Sequence, residues 1–310
     1  MTPSAMTRGT LSEKGGLMSP PGGYPTGAGR TVHILPPMHD TVAVLGAGAI
    51  GELLAGGLLR AGWSRRELVL AARRPERQKE VELRVGLRTV LDAAEAARDH
   101  RIVVVTVKPA DVPSLITQIR PVITSEQVIL SLAAGVPTSV FEDALGGVAV
   151  VRAMPNTPAL FDEAISAYCV GRFASPEAVA AATGVLSSVG QTIALDEHLL
   201  DAVTAVSGTG PAYLFLLVEA LIEAAIREGI PRHAAERLVK QTARGAGMLL
   251  ADLDTSPEQL RAQVTSPGGT TAAAVHVLEQ RGFRALVEDA VRAAAERSRE
   301  LGQRATEDCS

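Results

Sequence analysis

Gly46-Ala47-Gly48-Ala49-Ile50-Gly51 directly follows the short apolar run Thr41–Leu45 and precedes a segment with apolar residues at Leu53, Leu54, Leu58 and Leu59. G-x-G-x-x-G between a strand and a helix is the pattern of a dinucleotide cradle. The first glycine permits a tight turn, the second lets backbone approach a pyrophosphate, and the third lets helix pack closely on strand. The helix N-terminus adds N–H groups and a partial positive charge for the phosphates. A bare glycine turn is the plainer alternative, and the strand–helix context favours the dinucleotide. The second strand run, Glu67–Ala71, leads into Ala72-Arg73-Arg74. NAD sites usually carry Asp or Glu there for the ribose 2′-OH. Here two guanidiniums replace the carboxylate and suit charge-assisted bonds to a 2′-phosphate. NADP(H) is therefore favoured, with NADH tolerance left open; the alternative is that both arginines cap a solvated turn.

Ligands of open α/β sheets lie outside the carboxyl ends of the strands. Thr106-Val107-Lys108-Pro109 ends one such strand and Leu132-Ala133-Ala134-Gly135 the next. Small residues and a proline leave room there for a ribose and a nicotinamide. Lys108 reads as a structural or ribose contact rather than a catalytic base. Asn156, in Arg152-Ala153-Met154-Pro155-Asn156-Thr157-Pro158, either orients the cofactor or holds a proline-flanked turn. Farther on lie Ser207-Gly208-Thr209-Gly210-Pro211-Ala212-Tyr213 and Val264-Thr265-Ser266-Pro267-Gly268-Gly269-Thr270-Thr271. The second loop opens a helix, so its N–H groups and hydroxyls suit an anion such as a carboxylate. An ordinary Ser/Thr cap would look the same locally.

These residues need strand ends and helix starts to hold them, and the sequence supplies both. Ile102–Val107 is a nearly continuous β-branched run, as expected of a central parallel strand covered on both faces. Val128–Leu132, Val148–Val151 and Ile165–Val170 read as further strands, with helices at Pro75–Leu83, Val112–Ile119 and Ser139–Leu145. The alternation predicts a doubly wound α/β domain. Near residue 196 strand signals stop and helices take over: Pro211–Gly229, His233–Leu250 and Phe283–Leu301. The Pro211 helix is apolar around most of its circumference, which predicts burial, in part against a second chain. The domains expected are a dinucleotide-binding domain at 39–196 and a helical domain at 197–310. In residues 1–38, Gly, Pro, Ser and Thr fill 21 positions without apolar periodicity, which predicts a disordered tail. Met38 offers an alternative translation start, and no secretory signal pattern is present.

Composition narrows the function classes. Across 310 residues the net charge is −4 and aromatics make up 3%, so neither a basic field nor a base-stacking surface points to nucleic acid. No apolar stretch reaches the roughly 18–20 residues expected of a membrane span; the nearest, Pro211–Ile226, carries Glu219 and Glu223. The six histidines (33, 39, 100, 198, 233 and 276) lack metal-ligand spacing, so no metal is expected. Cys169 and Cys309 make no disulfide framework, and a reducing, cytoplasmic setting follows.

From about residue 40 to 303 the sequence resembles the pyrroline-5-carboxylate reductase family. The resemblance rests on V-x-x-L-G-A-G-x-I-G, V-K-P, A-A-G-V, R-A-M-P-N-T-P, D-A-V-T-A-V-S-G-T-G-P-A-Y and V-T-S-P-G-G-T-T in that order. The closing helix, with Gly282-Phe283-Arg284 and Arg299-Glu300-Leu301, belongs to it as well. Thr209 stands where the family more often has Ser, Asp254 falls near a position occupied by Glu in relatives, and residues 1–38 match nothing. The resemblance implies a Rossmann-type domain followed by an all-α dimerisation domain. It implies NAD(P)H-dependent reduction of 1-pyrroline-5-carboxylate to L-proline, the last step of proline synthesis, in homodimers that assemble into decamers. It places the substrate carboxylate on Ser266 and the backbone of Gly268, Gly269 and Thr270, and the ring nitrogen at Thr271. Gln263 matches a polar position bordering the cofactor. The residues are compatible with this independently. A C=N bond is basic, so hydride transfer to an iminium needs positioning more than a strong acid, and no His/Asp or Lys/Tyr relay is evident. The alternatives are a related reductase of another cyclic imine or small keto acid, and a non-catalytic NADP-binding regulator.

Overall fold

The computed structural model describes residues 40–251 and 254–307. The expected tail at 1–38, His33, His39 and Cys309 lie outside the described residues. The chain runs β1 (Val42–Leu45), α1 (Ala49–Arg60), β2 (Leu68–Ala71), α2 (Pro75–Val85), β3 (Thr89–Val90), α3 (Ala93–Arg98) and β4 (Ile102–Val105). A 3₁₀ turn, Pro109–Asp111, then leads to α4 (Val112–Ile119), β5 (Val128–Ser131), α5 (Thr138–Leu145) and β6 (Ala149–Met154). After a 3₁₀ turn at Thr157–Phe161 come β7 (Ala164–Val170), α6 (Pro176–Ser187) and β8 (Gly190–Ala194). The remainder is helical: α7 (Leu200–Val203), α8 (Gly210–Arg227), α9 (Arg232–Leu250), α10 (Pro257–Gln263), α11 (Thr270–Gln280) and α12 (Phe283–Glu307).

The strands form one sheet in the order β3-β2-β1-β4-β5-β6-β7-β8. The expected Rossmann architecture is present, with one difference: β7 runs antiparallel to β6. The reason is the connection, Pro155–Glu163, which holds only a 3₁₀ turn. A parallel return needs a crossover of a dozen or more residues. Hydrophobic residues cover both faces of the sheet. Leu54, Leu58, Val81 and Leu186 pack on one face, and Val112, Ile116, Ile119 and Phe141 on the other. The sequence reading passed over β3, α3, α6 and β8. β3 is too short to show a period, α3 (Ala-Ala-Glu-Ala-Ala-Arg) and α6 lack a stripe of large apolar residues, and β8 is a largely exposed edge.

Two features distinguish the helical half. First, α7 and α8 are joined through a π turn at Thr204–Gly208, so one helical run extends over Glu197–Arg227. This corrects the sequence expectation. By length and composition the run is apolar enough to cross a membrane, and an 18-residue window within it has a mean hydropathy of 1.5. Nor is α8 buried in this chain: none of its residues is, and Phe215 and Leu216 are each 67% exposed. Second, α12 packs back against α7, the π turn and the Pro109–Asp111 turn. Gly302 on α12 meets Gly135 after β5 so closely that a Cβ on Gly302 would lie 2.1 Å from the Gly135 carbonyl oxygen. Beside this contact, Ser298 Oγ donates to Asp201 at 2.6 Å, and the buried Arg152 of β6 pairs with Glu197 at 3.3 Å.

Candidate active site

β1 is paired with β2 on one side and with β4 on the other, so the strand order switches direction at β1. Open α/β sheets bind ligands at such a point. A cleft of about 300 Å³ lies there, lined by Gly46, Ala47, Gly48, Arg73, Arg74, Thr106, Val107 and Lys108 among others. Each of these eight was a sequence candidate.

The glycine turn is built by contact and by omission. Gly46 has φ +122°, in the region that favours glycine, and Thr106 Oγ1 donates to its carbonyl at 2.7 Å. A Cβ on Gly51 would come 2.1 Å from the Gly46 carbonyl oxygen, so only glycine lets α1 pack this close to the turn. Gly48 is different. It is the N-cap of α1 with no side-chain cap, and a Cβ there would meet nothing within 4 Å. Space and uncapped helix N–H groups therefore coincide at the position where a pyrophosphate is expected. Glu52 in the first turn of α1 would repel phosphates, but it is paired with Arg77 and Arg84. The cleft fits a dinucleotide.

The adenosine end is more polar than the sequence reading allowed. Arg74 is the N-cap of α2. Arg73 reaches across the cleft, and its Nη1 lies 2.8 Å from Oδ1 of Asp111. Arg77, on the first turn of α2, also lines the cleft and donates from Nε to the Ala47 carbonyl at 2.8 Å. Ser114 and Gln118 line it from α4 and bond each other at 3.3 Å. Arg77, Asp111, Ser114 and Gln118 were missed. The available signals were an arginine within the first turn after Arg73-Arg74, and two polar residues spaced i, i+4 on the helix following Val107-Lys108-Pro109.

Other candidates lie outside the lining of this cleft. Ala133 is buried in the core against α4 and α5. Ile50 and Asn156 border a small apolar gap between α1, β5 and α6. Asn156 engages both ends of its amide within the chain: Oδ1 accepts from Ile165 N–H at 3.1 Å, and Nδ2 faces Ser207 Oγ at 3.3 Å. Of its two readings, this geometry is that of a turn holder. The π turn explains the link, because it interrupts the regular helical ladder at Ser207, and such bulges concentrate at functional positions. The Ser266–Thr271 loop and Gln263 belong to the helical half and do not line the cleft either. In that loop Gly268 has φ +70°, Gly269 N–H donates to Ser266 O at 3.1 Å, and Gly269 caps α11 without a side-chain bond. Thr270 and Thr271 thus open an uncapped helix.

Residues 197–301 match the family described as pyrroline-5-carboxylate reductase dimerisation, and residues 41–135 match one described as NADP oxidoreductase, coenzyme F420-dependent. A pyrroline-5-carboxylate reductase of Mycobacterium tuberculosis is 41% identical over 284 residues, spanning 84% of this chain and 96% of that protein. This chain belongs to the pyrroline-5-carboxylate reductase family. Among solved structures, the pyrroline-5-carboxylate reductase of Coxiella burnetii superposes with a TM-score of 0.78 at 32% identity, covering 85% of this chain and 99% of that one. The pyrroline carboxylate reductase of Plasmodium falciparum, determined with NADP bound, gives a TM-score of 0.76 at 29% identity, covering 85% and 98%. For a pyrroline-5-carboxylate reductase two of the helix starts without a side-chain cap stand out: α1 faces the cleft, and α11 carries the family's Ser-Pro-Gly-Gly-x-Thr loop.

Proposed function

We propose that this chain reduces 1-pyrroline-5-carboxylate to L-proline with NADPH, the final step of proline synthesis. The observation that carries the reading is the pairing, in one family member, of a glycine cradle open at Gly48 with the uncapped α11 start behind Ser266–Thr271. The cradle residues 46–51, together with Arg73, Arg74 and Thr106–Pro109, hold the dinucleotide. Ala133, Asn156 and Gln263 do not line the cleft; Ala133 and Asn156 support it through the core and the turn after β6. Bound there, a reduced nicotinamide supplies a hydride. The substrate carboxylate is held by Ser266 and by the backbone N–H groups of Gly268, Gly269 and Thr270, at the positive end of α11. The Thr271 hydroxyl accepts a hydrogen bond from the ring N–H and keeps the iminium carbon aligned.

The domain division at 39–196 and 197–310 separates these duties, and the two must meet across a second copy. Leu214, Phe215, Leu216, Leu217 and Leu221 all lie exposed on α8. The dimerisation family covers this helix, so a homodimer, able to build decamers, is the cover we infer rather than a bilayer. A cytoplasmic setting suits the free Cys169, whose buried thiol is pushed up to about 11. The test is an NADPH oxidation panel with pyrroline-5-carboxylate, piperideine-6-carboxylate, piperideine-2-carboxylate and pyruvate. Turnover confined to pyrroline-5-carboxylate is expected. Preference for another substrate would reassign the enzyme, and NADPH binding with no turnover would make it a regulator.

A further inference from the structure

The cationic groups at the adenosine end of the cleft are unequally available. Arg77 is committed: Nε is on the Ala47 carbonyl, and its two terminal nitrogens are on Glu52 and Glu80. Arg74 makes no ion pair among the described residues. Arg73 stands between these cases, bound at 2.8 Å to Asp111. That pair bridges the cleft, from the end of β2 to the turn that follows β4. Its two halves differ in freedom. Asp111 sits on a 3₁₀ turn, its own N–H donates to the Lys108 carbonyl at 2.9 Å, and α12 packs against the turn. The Arg73 side chain is 74% exposed and is the half that can move.

We propose that Asp111 sets cofactor selectivity by competing with the dinucleotide 2′-phosphate for the Arg73 guanidinium. The proposal rests on the dinucleotide reading of the cleft. A 2′-phosphate entering beside Arg74 must draw Arg73 away from a carboxylate, and it then lies within the field of that carboxylate. A 2′-hydroxyl carries no charge to be repelled. It can also donate a hydrogen bond to a carboxylate, so Asp111 opposes NADPH without opposing NADH. Selectivity is set here by a repulsive group as well as by an attractive one. Asp111 thereby narrows the preference that Arg73 and Arg74 create.

The experiment is calorimetric titration of the full chain with adenosine 2′,5′-bisphosphate and adenosine 5′-monophosphate, which differ only in the 2′-phosphate, followed by NADPH and NADH. Asp111→Asn keeps the size and removes the charge. It should tighten the bisphosphate and NADPH by about fivefold, the scale of one exposed ion pair, and leave the monophosphate and NADH within about twofold. In an Arg73→Ala background the same change should gain less than about twofold. Asp111→Ser, with folding checked by thermal melting, should repeat the gain. Unchanged or weakened bisphosphate binding in both Asp111 variants would overturn the proposal and make Asp111 an orienting partner of Arg73. Wild-type protein that binds neither NADPH nor NADH would instead overturn the cleft reading itself.

Discussion

Gly51→Ala and Gly48→Ala separate packing from ligand space within one turn. At Gly51 the added Cβ would sit 2.1 Å from the Gly46 carbonyl oxygen and 3.0 Å from Thr106 Oγ1. An ordinary contact needs well over an ångström more than the first distance, and the clash is with backbone, which has no rotamer to escape into. The helix must back away from β1. Overpacking of this kind costs typically 1–3 kcal/mol. Taking about 2 kcal/mol, and about 2–4 °C per kcal/mol for a folded unit of this size, Tm should fall by about 4–8 °C. NADPH affinity should fall too, because α1 carries the phosphate-facing N–H groups. At Gly48 the added Cβ meets nothing within 4 Å, and φ −86° with ψ −173° is open to any residue. Alanine caps a helix less well than glycine, but it restricts the unfolded chain by a comparable amount, so the two effects offset to within about 1 kcal/mol. Gly48→Ala should therefore melt within about 2–3 °C of wild type and still bind NADPH at least about tenfold more weakly, since the methyl enters pyrophosphate space. Differential scanning fluorimetry and NADPH fluorescence titration read the two quantities. Full NADPH affinity in Gly48→Ala would refute the cradle assignment, and an unshifted Tm in Gly51→Ala would refute the packing argument.

Thr271→Val keeps the side-chain shape and should lower kcat/KM by about 10–100-fold, with the Kd for NADPH unchanged; Thr270→Val, where the backbone does the binding, is the control. Leu217→Asp places a charge at a 42%-exposed leucine on the apolar face of α8 and should give monomers that bind NADPH without turning over, or insoluble protein, as read by light scattering; a soluble, active wild-type monomer would refute the proposed homodimer. Burial raises the Cys169 thiol from 9.0 to about 11. The native state thus keeps a proton that the unfolded chain releases, so stability should fall as pH rises from about 9 to 11, and Cys169→Ala should flatten that fall in denaturant titrations.

The legible parts of this molecule are those whose cause is local. β1, β2, β4 and β5 appear as apolar runs at their observed places within a residue or two, because a strand buried on both faces must be apolar throughout. The glycines at 46, 48 and 51 are legible because each is required by a close approach or an open space. What stayed hidden depends on partners far along the chain. Asp111 is an unremarkable acid until folding brings it to Arg73, and Arg77 is one of many surface arginines until its Nε meets the Ala47 carbonyl. Asn156 left two readings open because its partners, Ile165 and Ser207, lie on separate elements. The π turn has no periodic signature at all.

The apolar character of α8 has a different lesson. Its sequence predicts burial, yet no residue of Gly210–Arg227 is buried in the single chain. The Ser266–Thr271 loop likewise does not line the cleft it is expected to serve. One addition resolves both. A second copy laid along α8 would cover Leu214, Phe215 and Leu221, and the proposed function has that copy supply its own Ser266–Thr271 loop to the first copy's cradle. On that proposal the cost of exposing apolar surface, about 25 cal/mol per Å², is the force that assembles the active site. In the proposed function dinucleotide binding is assigned to one chain and turnover to two, so dilution below the dimer dissociation constant should abolish reduction while leaving NADPH binding intact. Reduction that persists at full specific activity in a demonstrably monomeric sample would contradict this division of labour.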